Sequence, residues 1–192
     1  MMNKPQRCIV CKANVSSQHS FYSQLCVNCG DLNYTKRNQT ANLQGLLALV
    51  TGCRVNIGYA VVLKLLRAGA SVIATTRFPH DAASRYAKES DFDDWKHRLH
   101  IYGLDLRHIV SVEQFTQHLI NFYPRLDIII NNAAQTIRRP AAFYRHLIEG
   151  ESLGLSQLPE EIQPLVVRSH NLSLGNVFEK NYLKTAGDEA NA

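Results

Sequence analysis

Apolar residues in the middle of the chain come in short runs separated by turn-forming residues, and the runs alternate between two periods. Leu46–Val50 is an unbroken apolar run that stops at Thr51-Gly52. Ile57–Ala68 then carries apolar residues on most faces of a helical repeat and ends before Gly69, a residue suited to close a helix. Ser71–Thr76 and Leu99–Leu104 read as second and third strands. Leu126–Ile130, almost wholly apolar, reads as a fourth, of the kind buried in the centre of a parallel sheet. Between them Asp81–Lys88, with Pro79 and Asp81 marking its start, Phe92–Arg98 and Ser111–Phe122 read as helices. Ser111 and Gln114 have the spacing of a capping box, Pro124 is a stop, and Phe92 and Trp95 read as helix packing. Strands alternating with helices predict an α/β fold, a doubly wound parallel sheet of about four strands.

The flanks differ from this middle. Residues 1–42 are polar and carry Lys4, Arg7, Lys12, Lys36 and Arg37 against the single acid Asp31. Residues 151–192 carry six acids against three basic residues. Three regions are therefore expected: a basic head over 1–42, an α/β domain over 43–150, and a tail over 151–192 that is partly helical or disordered. In that tail Leu158–Arg168 reads as a short helix or strand, Asn176–Thr185 as a helix and Ala186–Ala192 as disordered. No apolar stretch approaches the length of a membrane span, and the N-terminus lacks a signal-peptide core, so a cytoplasmic location is the expectation. The net charge of +5 is mild, and the head's basic residues are scattered among few aromatics, which weighs against a nucleic-acid partner.

Chemistry is concentrated at two places. The first is the head, where Cys8, Cys11, Cys26 and Cys29 form two Cys-x-x-Cys pairs fourteen residues apart. Each such turn lets two thiolates converge on one ion, and two of them complete a tetrahedral sulfur site. Zinc is the first choice, and iron accepts the same ligands. Disulfides do not suit a chain without a secretory signal, though four free thiols would also fit the residues. The segment between the pairs is too polar to build a core, so a metal would supply folding free energy. Gly30 follows the second pair, where a tight turn is expected, and His19 reads as a solvated residue of a polar loop.

The second place is the junction Thr51-Gly52-Cys53-Arg54-Val55-Asn56-Ile57-Gly58, where a buried strand becomes a helix. That geometry directs helix N-terminal amides at a pyrophosphate. Gly52 permits the turn, Gly58 permits close helix–strand approach, and Asn56 tolerates left-handed backbone angles. Cys53 reads as a small residue in the turn. At the end of the second strand Thr75-Thr76-Arg77 offers a guanidinium where a carboxylate would hold the ribose hydroxyls of NAD, which favours NADP; Arg54 stands in the same loop.

Together these residues resemble the short-chain dehydrogenase/reductase family over roughly residues 43–140. The loop resembles its Thr-Gly-x-x-x-Gly-x-Gly motif, with the middle glycine changed to Asn56. Asp105-Leu106 matches the pair that contacts adenine in the family. Asn131-Asn132-Ala133-Ala134 matches Asn-Asn-Ala-Gly with a final alanine, and opens the longer run that contains Arg138-Arg139-Pro140. The resemblance implies a Rossmann-like fold, a nicotinamide dinucleotide as cofactor, Asn132 bracing the sheet, and Ala133-Ala134 against the cofactor ribose. The expected site is thus Gly52, Arg54, Asn56, Ile57, Gly58, Arg77, Asp105, Leu106, Asn132, Ala133 and Ala134.

The family's catalytic Tyr-x-x-x-Lys is missing, since none of the eight tyrosines has Lys four residues later. The sequence therefore reads as the front half of an NADP-preferring reductase, inactive by itself. The alternative is a non-catalytic, zinc-bearing dinucleotide-binding or interaction module. In either case the edge at Leu126–Ile130 invites a protein partner or a second copy.

Overall fold

The computed structural model describes residues 6–134 and 139–167, and the chain divides into two compact units between Ala41 and Asn42. The small unit buries little apolar surface, chiefly Cys8 and Leu25. Isolated antiparallel bridges join Arg7 to Asn14 and Gln18 to Cys26, and Cys26 then caps helix α1 (Val27–Arg37). This helix has no counterpart in the apolar pattern, because Val27–Arg37 is polar around nearly its whole circumference. The turn expected at Gly30 is not found: Gly30 lies inside α1, and a Cβ there would sit 2.2 Å from the His19 ring. Close approach of that ring is what requires glycine.

The large unit is built on four parallel strands, β1 (Leu47–Thr51), β2 (Ser71–Thr76), β3 (Leu99–Gly103) and β4 (Ile128–Ile130), in the order β3-β2-β1-β4. Leu47 pairs with Ser71, Ala48 with Ile128 and Val72 with Leu99. Parallel neighbours need crossovers, which are supplied by α2 (Asn56–Arg67), α3 (Pro79–Tyr86), the short α4 (Phe92–Trp95) and α5 (Ile109–Phe122). A further helix, α6 (Arg145–Ser152), follows the sheet. Alternate strand residues enter two cores. Val50, Val72, Ala74 and Ile101 pack with Val62, Leu66, Tyr86 and Trp95, while Leu47, Ile73 and Tyr102 pack with Leu104 and Phe115. A sheet covered on both faces is the doubly wound arrangement that the pattern predicts. Phe92 and Trp95 meet edge to face inside the first core, as read.

Four details differ from the sequence reading. Helix α5 begins at Ile109 with His108 as its cap, because His108 Nδ1 accepts the Ser111 amide at 3.2 Å; Ser111 is therefore a first-turn residue and no capping box forms. The Phe92–Arg98 helix stops at Trp95 and tightens into a 3-10 turn over Lys96–Arg98. Strand β4 is three residues long, starting at Ile128 rather than Leu126, and its apolar run, of the kind found in central strands, lies at the exposed edge of the described sheet as expected, with Ile129 58% exposed. Finally, part of the expected tail belongs to the large unit. Ile162, Leu165 and Val166 are buried with Trp95, Leu99 and Ile101, and Val167 donates its amide to the Ile101 carbonyl at 3.0 Å. Two 3-10 turns, Leu155–Gln157 and Gln163–Leu165, carry this segment; the second is a short helix within the stretch expected to form one, and Val166 makes a single parallel bridge to Ile101. Burying three apolar side chains along β3 is the physical reason. The helix expected over 176–185 and the disorder expected over 186–192 lie outside the described residues.

Candidate functional site

A cleft of about 540 Å³ opens where the C-terminal ends of all four strands meet. Its walls include Gly52, Arg54, Asn56, Ile57, Arg77, Asp105, Leu106, Asn132, Ala133 and Ala134, so ten of the eleven residues expected at the dinucleotide site come together here. Gly58 stands behind the wall rather than in it, where a Cβ would lie 2.2 Å from the Gly52 carbonyl oxygen and 2.5 Å from Asn132 Nδ2. Gly52 adopts φ +70° and donates its amide to the Thr75 carbonyl at 2.9 Å; Cys53 donates to the same oxygen at 3.1 Å. Asn56, with φ +55°, takes the left-handed conformation that its amide side chain tolerates. Helix α2 then starts with no side-chain cap and no acid in its first turn. Its first amides thus lack a side-chain acceptor, the condition under which an anion is bound.

Asn132 holds this architecture together. Its Nδ2 donates to the carbonyls of Thr51 and Gly52, both at 3.1 Å. The Thr51 hydroxyl oxygen in turn accepts the amides of Asn132 and Ala133, both at 3.0 Å. The sequence reading passed over this hydroxyl role for Thr51, which was visible only as a motif letter. Cys53 is fully buried in the first core and is absent from the cleft wall, so it packs as a small residue of the turn; burial pushes its thiol up to about 12.

The cleft is ringed by guanidinium groups. Arg54 Nη1 lies 2.9 Å from Asp81 Oδ2, and its Cζ is 5.5 Å from the Phe78 ring centroid. Arg77 Cζ lies 5.4 Å from Phe78 and 5.0 Å from Tyr144, whose rings stack 5.8 Å apart. Arg107, unremarked in the sequence, donates from Nε to both carboxylate oxygens of Asp105, at 2.9 and 3.1 Å. Burial works against ionisation of Asp105, but the Arg107 bonds outweigh it and hold the carboxyl below its usual range. Asp105 therefore lines the cleft with its charge already engaged.

Beside the cleft, Glu151 of α6 closes the N-terminus of α3. Its carboxylate accepts the amides of His80 at 2.9 Å and Asp81 at 3.2 Å. Burial nonetheless pushes Glu151 up to about 7. Nothing in the local sequence marked Glu151, Phe78 or Tyr144, because their contacts join distant positions.

In the small unit the four Sγ atoms of Cys8, Cys11, Cys26 and Cys29 all lie within 4.8 Å of one another, and Cys11 and Cys26 approach to 3.7 Å. A tetrahedron of zinc–sulfur bonds has edges of about 3.8 Å, so the spacing fits such an ion. Hydrogen bonds from the backbones of Cys26 and Cys11 pull the Cys8 thiol down to about 6, whereas sharing with the Cys26 sulfur pushes Cys29 up to about 12. Four thiols this close cannot all ionise without a cation among them. His19 is not part of the cluster and is not solvated: its side chain is 9% exposed, and Nδ1 accepts the amides of Phe21 and Tyr22.

The profile of the family described as short chain dehydrogenase matches residues 46–146. The uncharacterized protein R665 of Acanthamoeba polyphaga mimivirus is 41% identical over 135 residues, covering 68% of this chain and 29% of that protein. The 2-dehydro-3-deoxy-D-gluconate 5-dehydrogenase of Pseudoalteromonas atlantica is 32% identical over 105 residues, covering 53% of this chain and 39% of that enzyme. Among solved structures, the N-domain with NADP of a bacterial malonyl-CoA reductase is 34% identical with a TM-score of 0.44, covering 50% of this chain and 18% of that one. The chain spans well under half the length of the curated relatives it matches.

Proposed function

Because the chain belongs to the short chain dehydrogenase family, we propose that its large unit binds NADP(H) in preference to NAD(H) in the cleft at the strand ends. Arg77 carries this reading. It lines the cleft at the end of β2, in a stretch Thr75-Thr76-Arg77-Phe78 that holds no carboxylate to take up ribose hydroxyls. The uncapped start of α2, at Asn56 and Ile57, would hold the pyrophosphate, with Gly52 admitting the backbone and Gly58 letting the helix approach. Leu106 and Asp105 would border the adenine, and Asn132, Ala133 and Ala134 the nicotinamide side. When bound, the dinucleotide supplies hydride chemistry; the residues of this chain bind and orient it. No tyrosine here is followed four residues later by lysine. The polypeptide alone is thus expected to hold the coenzyme without reducing a carbonyl substrate.

Calorimetry on the full chain tests this directly. NADP⁺ should bind more tightly than NAD⁺, and R77A should weaken NADP⁺ by about 10- to 100-fold, the worth of a charge-assisted hydrogen bond, while sparing NAD⁺. Equal binding of both coenzymes, or turnover of NADPH with an aldehyde or ketone by these 192 residues, would show the reading wrong.

The convergent thiols favour a second component. We infer that Cys8, Cys11, Cys26 and Cys29 hold a structural zinc, which would make the head a metal-stapled module attached to a dinucleotide-binding unit. A closed set of four sulfurs leaves no open position for substrate, so its work is architectural.

A further inference from the structure

We propose that Tyr144 is a positioning residue that sets how sharply the cleft distinguishes a 2′-phosphorylated adenosine ribose from an unphosphorylated one. The inference rests on reading the cleft as an NADP site. Tyr144 ends the 3-10 turn Ala141–Tyr144 and is not among the residues that line the cleft. Its ring instead backs two residues that do. It stacks on Phe78 at an interplanar angle of 20°, and the Arg77 guanidinium lies 5.0 Å from its centroid. Tyr144 is 8% exposed and Phe78 is 2% exposed, so the rings form a fixed surface rather than a mobile one.

An arginine on a strand end has several rotatable bonds, and its fork of donors is useful to a phosphate only when it is held in place. Two ring faces next to one guanidinium supply that restraint by cation–π attraction. The segment that carries Tyr144 is fastened a second time, where Glu151 accepts the amides of His80 and Asp81 at the start of α3. Leu147 fills the space between these anchors, in one cluster with Phe78 and Tyr144. Residues Ala141–Ser152 therefore clasp the β2–α3 corner from which Arg77 projects. Restraint applied before binding lowers the entropy lost on binding, and here it benefits only a ligand that touches Arg77. The consequence is a change in the ratio of coenzyme affinities, not in affinity as a whole.

The test is calorimetry of NADP⁺ and NAD⁺ on the full chain and on Y144L, Y144F and R77A, each checked for folding by circular dichroism and melting temperature. Y144L keeps an apolar group but removes the ring face. It should weaken NADP⁺ by about three- to tenfold and change NAD⁺ by less than twofold, in line with the usual strength of such contacts. Y144F keeps the ring and should behave as the parent does. If Y144L does not fold, Y144M takes its place with the same readout. Loss of NADP⁺ and NAD⁺ affinity in equal measure, or an unchanged ratio in a folded variant while R77A abolishes the preference, would overturn the role of Tyr144 and leave the cleft assignment standing. Failure of the parent chain to bind either coenzyme would remove both.

Discussion

Asn132 and Thr51 are joined by two hydrogen bonds, the Asn132 amide to Thr51 Oγ1 at 3.0 Å and Asn132 Nδ2 to the Thr51 carbonyl at 3.1 Å. The pair locks the end of β1 to the segment after β4, and the loop that opens α2 lies on that lock. Replacing Thr51 with valine keeps the shape and removes the acceptor shared by the Asn132 and Ala133 amides. T51V should lose about 1–2 kcal/mol in urea denaturation, since two part-buried donors lose their partner. Its coenzyme affinity should fall as well, because Ala133 and Gly52 both line the cleft. Unchanged stability would mean that the lock is carried by the Asn132 side chain alone.

Two positions in the first turn of α2 differ in how much a small change costs. At Gly58 a methyl group would enter the space of the Gly52 carbonyl oxygen, 2.2 Å away, so G58A must push α2 off the sheet. About 1–3 kcal/mol of lost stability is expected, the usual cost of overpacking. At Asn56 the backbone is already left-handed, with φ +55°. N56G removes the strain of a side chain there and should stay within about 1 kcal/mol of the parent. Thermal denaturation of the two variants side by side decides it, and a G58A protein that melts with the parent would refute the packing argument.

The two-period pattern made the sheet and the strand-to-helix loop readable, because strands buried on both faces must be apolar and a phosphate turn must contain glycine. The glycine loop followed from this pattern and Arg54 and Arg77 from their charge, whereas Asp105, Leu106, Asn132, Ala133 and Ala134 followed from resemblance to the family's motifs; ten of the eleven residues so named line the cleft. What escaped was set by contacts between distant positions. Phe78 meets Tyr144, Glu151 caps α3 and Thr51 serves Asn132, and no local period announces any of them. The start of α5 was misplaced for a related reason: Ser111 is the better cap by residue type, but the His108 ring nitrogen is the group that reaches the amide. In the head, the cysteine spacing was legible while α1 was not, because that helix packs one face of glycine against His19 rather than an apolar stripe.

The thiol cluster predicts a metal stoichiometry. The purified 192-residue chain should carry about one zinc, and cobalt substitution should give the intense visible bands of a tetrahedral thiolate site. Stripping the metal should open residues 6–41 to protease, since Cys8 and Leu25 are the buried apolar side chains among the described residues of this unit. C11S, which removes the most exposed of the four clustered thiols, should lower metal content and produce the same cleavage. A metal-free chain whose head resists protease would rule out a structural ion.

Glu151 predicts a pH dependence whose sign follows from its surroundings. Its native carboxyl titrates near 7 against 4.5 ordinarily, with burial as the main cause and the nearby Asp81 charge adding to it. The amides of His80 and Asp81 and the charge of Arg54 pull the other way. The His80 ring, 3.5 Å from the carboxylate, is itself disfavoured as a cation by burial. Between pH 4.5 and 7 the native state therefore holds a proton that the unfolded chain releases. Stability from this group is full below the lower value and is lost as pH rises through the upper one. E151Q keeps an oxygen for the two amides and cannot ionise. Relative to E151Q, the parent should lose about 1–3 kcal/mol between pH 5 and pH 8 in paired urea titrations, a range set by a shift of this size. The comparison cancels every other titrating group. A parent that gains on E151Q with rising pH would mean that the amides at the start of α3 prevail over burial and keep Glu151 ionised.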